Sequence, residues 1–372
     1  MLVPDYIRKL VPYVPGKPIE ETQREFKLKR VIKLASNENP TGASPKGKAA
    51  AIRALKDGHR YPDASGFLLK SALSRHLRVD TRSLVLGNGS NEIIDLLVRA
   101  YCVPGDLIAT SKAAFAAYKI CAQVQGAMTL EAPLTDDLRF DLPALLKLVT
   151  ANERVRMVFI PNPNNPTGTY VTEKELSHFL SELARIRGGS VLAVLDYAYW
   201  EYVQAKDLPD PAPFLKVFSN VVVLRTFSKI YGLASLRIGY GIMAAELAAN
   251  LEKIRMPFNI NTSALMAAVA ALSDRAFVKR AIQANRRGMK FWRKSLEQMK
   301  VPYWPSEGNF LLIDTQRGFG KPGAAVFQDC LERGVIFRPV DSYGLSHALR
   351  ISIGTDPENQ FAVRVLRKLY KK

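Results

Sequence analysis

Short apolar runs rich in β-branched residues alternate with segments of helical period along most of this chain. The runs fall at Val155–Ile160, Val191–Leu195, Val221–Leu224 and Ile238–Ile242. Between the first two lies Thr172–Arg187, whose apolar positions recur with helical spacing. Continuous apolar strands with helices between them predict an α/β fold, a mostly parallel central sheet with helices on both faces. In such sheets ligands bind beyond the carboxyl ends of the strands. Past residue 260 the pattern changes. A long helical region, Thr262–Met299, precedes shorter strands at Asn309–Asp314, Val335–Pro339 and Leu349–Ile353. A final helix is expected after Thr355-Asp356-Pro357-Glu358, which supplies a capping hydroxyl or carboxylate and an early proline. The pattern divides the chain into an N-terminal arm at 1–40, a large α/β domain at 41–260 and a smaller α+β domain at 261–372.

Composition narrows the class. At 372 residues the chain can bury a large core and form more than one domain. No apolar run approaches the roughly 20 residues that span a bilayer. Met1–Glu20 lacks a signal-peptide core, so neither a membrane partner nor export is expected. The scattered cysteines Cys102, Cys121 and Cys330 point to a reducing compartment, the cytoplasm, and away from a disulfide framework or a metal site. The formal net charge is +19. Lys and Arg are dispersed, with no zinc-finger or basic-zipper spacing, so a basic surface is expected rather than a nucleic-acid partner.

The strand ends carry the candidate chemistry. Val221–Leu224 runs into Arg225-Thr226-Phe227-Ser228-Lys229, with Arg237 close behind. Val191–Leu195 ends at Asp196, and Tyr199 follows. A lysine that forms an imine, an acid for a pyridinium nitrogen and a phenol for a ring oxygen are what pyridoxal phosphate (PLP) asks of a protein. Leu86–Glu92 (LGNGSNE) is a glycine-permitted turn that opens onto the apolar run Ile93–Val98. A helix start of this kind offers free N–H groups and a positive dipole end to a phosphate. It lacks the Gly-Lys-Ser/Thr of a nucleotide P-loop and the spacing of a dinucleotide fingerprint. Pro161–Gly168 (PNPNNPTG) follows a strand and is too constrained for a mere connector; Asn165 is its candidate amide donor. Taken singly, each residue has a plain rival. Lys229 could be solvated, Phe115 simple core, Tyr13 an arm residue packed on the core, and Arg350 a surface residue. Their joint order and spacing carry the reading.

The segments Leu34–Gly42 (LASNENPTG), Tyr61-Pro62-Asp63, Gly87–Glu92, Asn162–Gly168, Asp196–Tyr199, Arg225–Lys229, Arg237 and Leu349–Thr355 (LRISIGT) resemble those of fold-type-I PLP-dependent aminotransferases. They stand in the same order and span nearly the whole chain. Val11-Pro12-Tyr13, Ser111–Tyr118 (SKAAFAAY) and Gly334–Gly354 are most similar to the histidinol-phosphate aminotransferase family. The resemblance implies that Lys229 carries PLP and shuttles the proton, that Asp196 pairs with the ring nitrogen, and that Tyr199 and Asn165 bind the ring oxygen. It implies that Phe115 stacks on the ring and that Ser90, Asn91, Ser228 and Arg237 bind the phosphate. Tyr61 is expected to reach the phosphate of a neighbouring subunit, which makes a homodimer with shared sites. Substrate recognition falls to Tyr13, Asn37, Arg338 and Arg350. The implied reaction is transamination between L-histidinol phosphate and 2-oxoglutarate, giving imidazole acetol phosphate and L-glutamate. Rivals on the same scaffold are an aromatic amino acid aminotransferase and a PLP-dependent decarboxylase of a phosphorylated amino acid. A winged-helix regulator is not expected, because the motifs begin near residue 34. Two positions depart from the family pattern. Tyr197 stands where glutamate is usual, expected to be peripheral, and Phe115 replaces a tyrosine whose ring face alone is needed.

Overall fold

The computed structural model describes residues 2–370. Its first strands are β1 (Ile32–Lys33), β2 (Leu84–Gly87), β3 (Leu107–Ser111), β4 (Met128–Ala132), β5 (Val155–Pro161), β6 (Leu192–Asp196), β7 (Val221–Thr226) and β8 (Gly239–Ile242). Then come β9 (Tyr303–Trp304), β10 (Phe310–Asp314), β11 (Val335–Ile336), β12 (Arg338–Pro339) and β13 (Ala348–Ser352). A seven-stranded sheet has the order β2-β8-β7-β6-β5-β3-β4. Every pairing from β7 through β4 is parallel, and β8 runs against both β7 and β2. The expected mostly parallel sheet is therefore present, with one reversed strand. Strands β6 and β7 are buried along their whole length, as the apolar runs Leu192–Leu195 and Val221–Leu224 require.

The helices between these strands follow local rules. Helix Glu173–Arg187 starts with a capping box, in which Thr172 and Glu175 satisfy each other's backbone donors. It stops at Gly188, whose φ of 54° suits glycine. Leu176, Phe179, Leu180 and Leu183 form its buried stripe. Each such side chain contributes about 1.5–3 kcal/mol on burial.

The long helical region is two helices rather than one: Thr262–Leu272 and Arg275–Gln298. The chain breaks at Asp274, whose carboxylate caps the second helix at Phe277 and also accepts from Ser44 Oγ at 2.8 Å. Ala264, Ala267, Ala268 and Ala271 of the first helix belong to the core of the large sheet. That core thus extends past residue 260, because the helix presents small side chains to helix Pro45–Ala54. The run Val335–Pro339 is likewise split. Its first half, β11, pairs in parallel with β1, and its second half, β12, pairs with β13. The chain crosses from one sheet to the other at buried Phe337. The smaller sheet has the order β12-β13-β10-β9 and packs with β1, β11 and helix Asp356–Tyr370 around a second core.

Candidate active site

Because β2, β3, β5, β6 and β7 point the same way, their carboxyl ends share one edge of the sheet. A cavity of about 480 Å³ opens there. Lys229 follows β7, Asp196 ends β6, and Asn165 sits in the loop after β5. Arg338 and Arg350 reach the same cavity from β12 and β13, and Tyr13 reaches it from the arm. Of the residues given a cofactor or substrate role from the sequence, all but Tyr61 line this cavity. Tyr61 is 82 % exposed and stacks on Phe258, with ring centroids 4.8 Å apart.

Lys229 is buried, and its Nζ lies 3.4 Å from the Ser36 carbonyl and 5.5 Å from the centroid of the Tyr199 ring. Burial, assisted by the positive field of Arg350, lowers its pKa to about 8. The amine is thus poised to lose its proton near physiological pH. Asp196 is also buried, and burial raises its pKa against the pull of Tyr118, the Ala198 N–H and Lys229. Tyr118 donates to Asp196 Oδ2 at 2.8 Å and the Ala198 N–H donates to Oδ1 at 3.1 Å. Both oxygens are anchored from the protein side, and the carboxylate still lines the cavity. Tyr199, raised to about 12 mainly by burial, remains a phenol.

Arg350 contacts Asn165 Oδ1 and the Ala35 carbonyl, while its buried Nε has no partner among the described residues. The first contact occupies the Asn165 oxygen and leaves the amide NH₂ free to donate. Arg338 donates to the Val14 carbonyl at 2.9 Å and its guanidinium lies 5.5 Å from the Tyr13 ring centroid.

The edge next to β8 is suited to an anion. Helix Ser90–Tyr101 begins there, and Gly89, Ser90 and Asn91 at its start line the cavity, where the first N–H groups of a helix have no partner within it. Gly89 has φ of 77°, and a Cβ on it would sit 2.6 Å from Arg237 Nη2. On β8, a Cβ at Gly239 would sit 2.5 Å from the Ser90 nitrogen. Both glycines are needed for helix start and arginine to approach so closely. Ser90, Asn91, Thr226, Ser228 and Arg237 surround the space left. These residues fit PLP: a helix start and an arginine for its phosphate, an anchored acid, a buried lysine of lowered pKa, and Phe115 on the wall.

Sequence reasoning missed Tyr118. It donates to Asp196, stacks on Phe159 with centroids 4.5 Å apart, and meets Phe115 edge-on at 5.8 Å. Its spacing of one helical turn from Phe115 was the available signal. Ser352 was also missed; it follows Arg350 by two positions on β13, the spacing of a shared strand face. Tyr197 lies in the large core, 5.6 Å from Trp200 between ring centroids, and does not line the cavity.

The chain matches the family of aminotransferases of class I and II over residues 29–366. It is 44% identical over 373 residues to a histidinol-phosphate aminotransferase of Bdellovibrio bacteriovorus, covering 100% of this chain and 99% of that one. It is 46% identical over 365 residues to histidinol-phosphate aminotransferase 2 of Pseudomonas fluorescens, covering 98% and 96%. Among solved structures, it superposes on the histidinol-phosphate aminotransferase of Sinorhizobium meliloti in complex with pyridoxal-5'-phosphate with a TM-score of 0.90. That match has 27% identity and covers 100% of this chain and 98% of the other. Fold and site together define a fold-type-I PLP-dependent aminotransferase. The chain belongs to the class I and II aminotransferase family.

Proposed function

We propose that this chain transaminates L-histidinol phosphate with 2-oxoglutarate, giving imidazole acetol phosphate and L-glutamate, in histidine biosynthesis. The observation that carries the substrate is the pair Arg338 and Arg350, with Tyr13, lining the cavity that holds Lys229. A phosphate ester can engage two guanidinium forks, and a dicarboxylate can use the same groups in its turn. The names of the relatives support the same substrate.

PLP supplies the electron-withdrawing ring that stabilises charge at the substrate's α carbon. Asp196 holds its negative charge against the position of the ring nitrogen, and Tyr118 keeps that carboxylate aimed. Lys229 Nζ would take the proton from the α carbon of the amine substrate, hold it, and give it back from the same side. Tyr199 Oη and the Asn165 NH₂ would donate to the ring oxygen. Ser90, Asn91, Ser228 and Arg237 would hold the phosphate. Arg338, Arg350, Tyr13 and Asn37 orient the substrate. The cofactor side of the site comes from the large domain, and the two arginines come from the small one.

We further propose a cytoplasmic homodimer with shared sites. Tyr61 and Phe258 stack on each other while exposed, and Ile52, Leu55, Phe67, Leu68 and Met256 are exposed as well, side chains of a kind suited to a subunit interface. Tyr61 would then reach the partner's phosphate. The substrate is tested by a panel of amino donors with 2-oxoglutarate: histidinol phosphate, phenylalanine, tyrosine and threonine phosphate. The highest kcat/KM is expected for histidinol phosphate. A preference for phenylalanine or tyrosine would assign the chain to aromatic transamination instead.

A further inference from the structure

Behind Tyr199 lies a buried polar network that links it through Asn37 to Ser352, a residue with no role above. Strand β13 alternates: Leu349, Ile351 and Ile353 enter the small core, while Arg350 and Ser352 face the other way. Ser352 Oγ accepts from the Asn37 N–H at 2.9 Å and donates to Asn37 Oδ1 at 2.8 Å. Asn37 Nδ2 then donates to Tyr199 Oη at 3.0 Å. Asn37 has φ of 53°, a conformation asparagine tolerates, and Asn309 holds its carbonyl at 3.0 Å. Asn37 is 1 % exposed, Ser352 4 % and Tyr199 5 %.

The direction of each bond follows from counting protons. The Asn37 backbone can only donate, so it takes an acceptor position on Ser352. The single Ser352 proton then needs an acceptor, and Asn37 Oδ1 is the one in reach. If the Asn37 amide were flipped, its NH₂ would face Ser352 and that buried proton would be stranded, which folded proteins avoid. The unflipped amide turns its NH₂ toward Tyr199 Oη. Tyr199 is thereby made the acceptor on its inner side, and its own proton is left to point into the cavity.

We propose that Ser352 is a positioning residue that, through Asn37, sets Tyr199 as a hydrogen-bond donor toward the cofactor. This rests on the PLP reading of the cavity. It adds a reason why β13 must carry a hydroxyl two residues after Arg350. It also ties the donor at the large-domain site to a strand of the small domain.

The test reads the bound cofactor's absorbance as a function of pH in the holoenzyme. A donor to the ring oxygen favours the deprotonated chromophore, whose oxygen carries more negative charge. Ser352→Ala is expected to move the titration midpoint upward by up to about one pH unit, tenfold in proton affinity. Ser352→Thr, which keeps the hydroxyl, should restore the wild-type midpoint. In a Tyr199→Phe background, Ser352→Ala should have no further effect, because its route of action is gone. The charged and phenolic neighbours Asp196, Lys229, Arg350 and Tyr13 are the same in every variant. If Ser352→Ala does not fold, Asn37→Gly carries the same test, since glycine accepts this φ. An unmoved midpoint in a folded, PLP-loaded Ser352→Ala protein overturns the proposal. So does an undiminished shift in the Tyr199→Phe background, which would make Ser352 a general support of the fold. A wild-type protein with no cofactor absorbance would instead fail the reading of the cavity itself.

Discussion

Lys229 illustrates what burial does to a single residue. Its amine is pressed to about 8 chiefly by loss of water, then by Arg350. Below that value it is protonated and cannot attack a carbonyl; above it the free base dominates. The cofactor-free protein should therefore take up PLP at a rate that rises about tenfold per pH unit and levels off above about pH 8. An ordinary lysine would keep accelerating toward about pH 10.4. Stopped-flow absorbance during reloading distinguishes the two. Borohydride treatment of the holoenzyme, followed by peptide mapping, should find the cofactor on Lys229 alone. Tyr118 is the corresponding case for Asp196. Tyr118→Phe removes a hydrogen bond to a buried carboxylate, a loss of about 1.5–3 kcal/mol. The expected result is a fall in kcat of roughly tenfold or more, with the secondary structure unchanged. Unaltered turnover would show that the Ala198 N–H alone suffices to aim the carboxylate.

At the scale of elements, the strand-end rule made much of the site legible. Asp196, Lys229 and Asn165 stand where buried parallel strands deliver them, and apolar runs mark such strands plainly. For Tyr118 and Ser352 spacing gave only a face, not a partner, since each is hydrogen-bonded to a residue distant in sequence, Asp196 or Asn37. A hydrogen bond across the fold leaves no local pattern. The break at Asp274 was hidden for a similar reason: apolar residues of both helices keep helical spacing, and only the cap interrupts them. The turn before helix Ser90–Tyr101 offers a direct check of the anion site. Gly89→Ala puts a methyl group against Arg237 at a φ of 77° and should weaken PLP binding about tenfold. The control is Gly188→Ala, at a φ of 54° with nothing within 4 Å of the added atom. It should lower the melting temperature and leave the dissociation constant for PLP unchanged.

For the whole molecule, the cavity draws its lining from different parts of the chain. Arg338 and Arg350 ride on the antiparallel sheet, whereas Asp196 ends one strand of the mostly parallel sheet and Lys229 follows another. Tyr61 extends this logic to a second subunit. Mixing Lys229→Ala with Tyr61→Ala subunits should regenerate one site with both residues intact and recover part of the activity. Verified heterodimers that recover none would confine Tyr61 to its own chain. The central claim is that the cavity is built for a phosphate-bearing amine. It is tested most directly by kcat/KM for histidinol phosphate and for phenylalanine, in the wild type and in Arg338→Ala. Loss of one charge-assisted fork costs about 1.5–3 kcal/mol, roughly 10- to 150-fold, and should fall mainly on the phosphate substrate. Equal losses on both substrates, or a wild type that prefers phenylalanine, would contradict it.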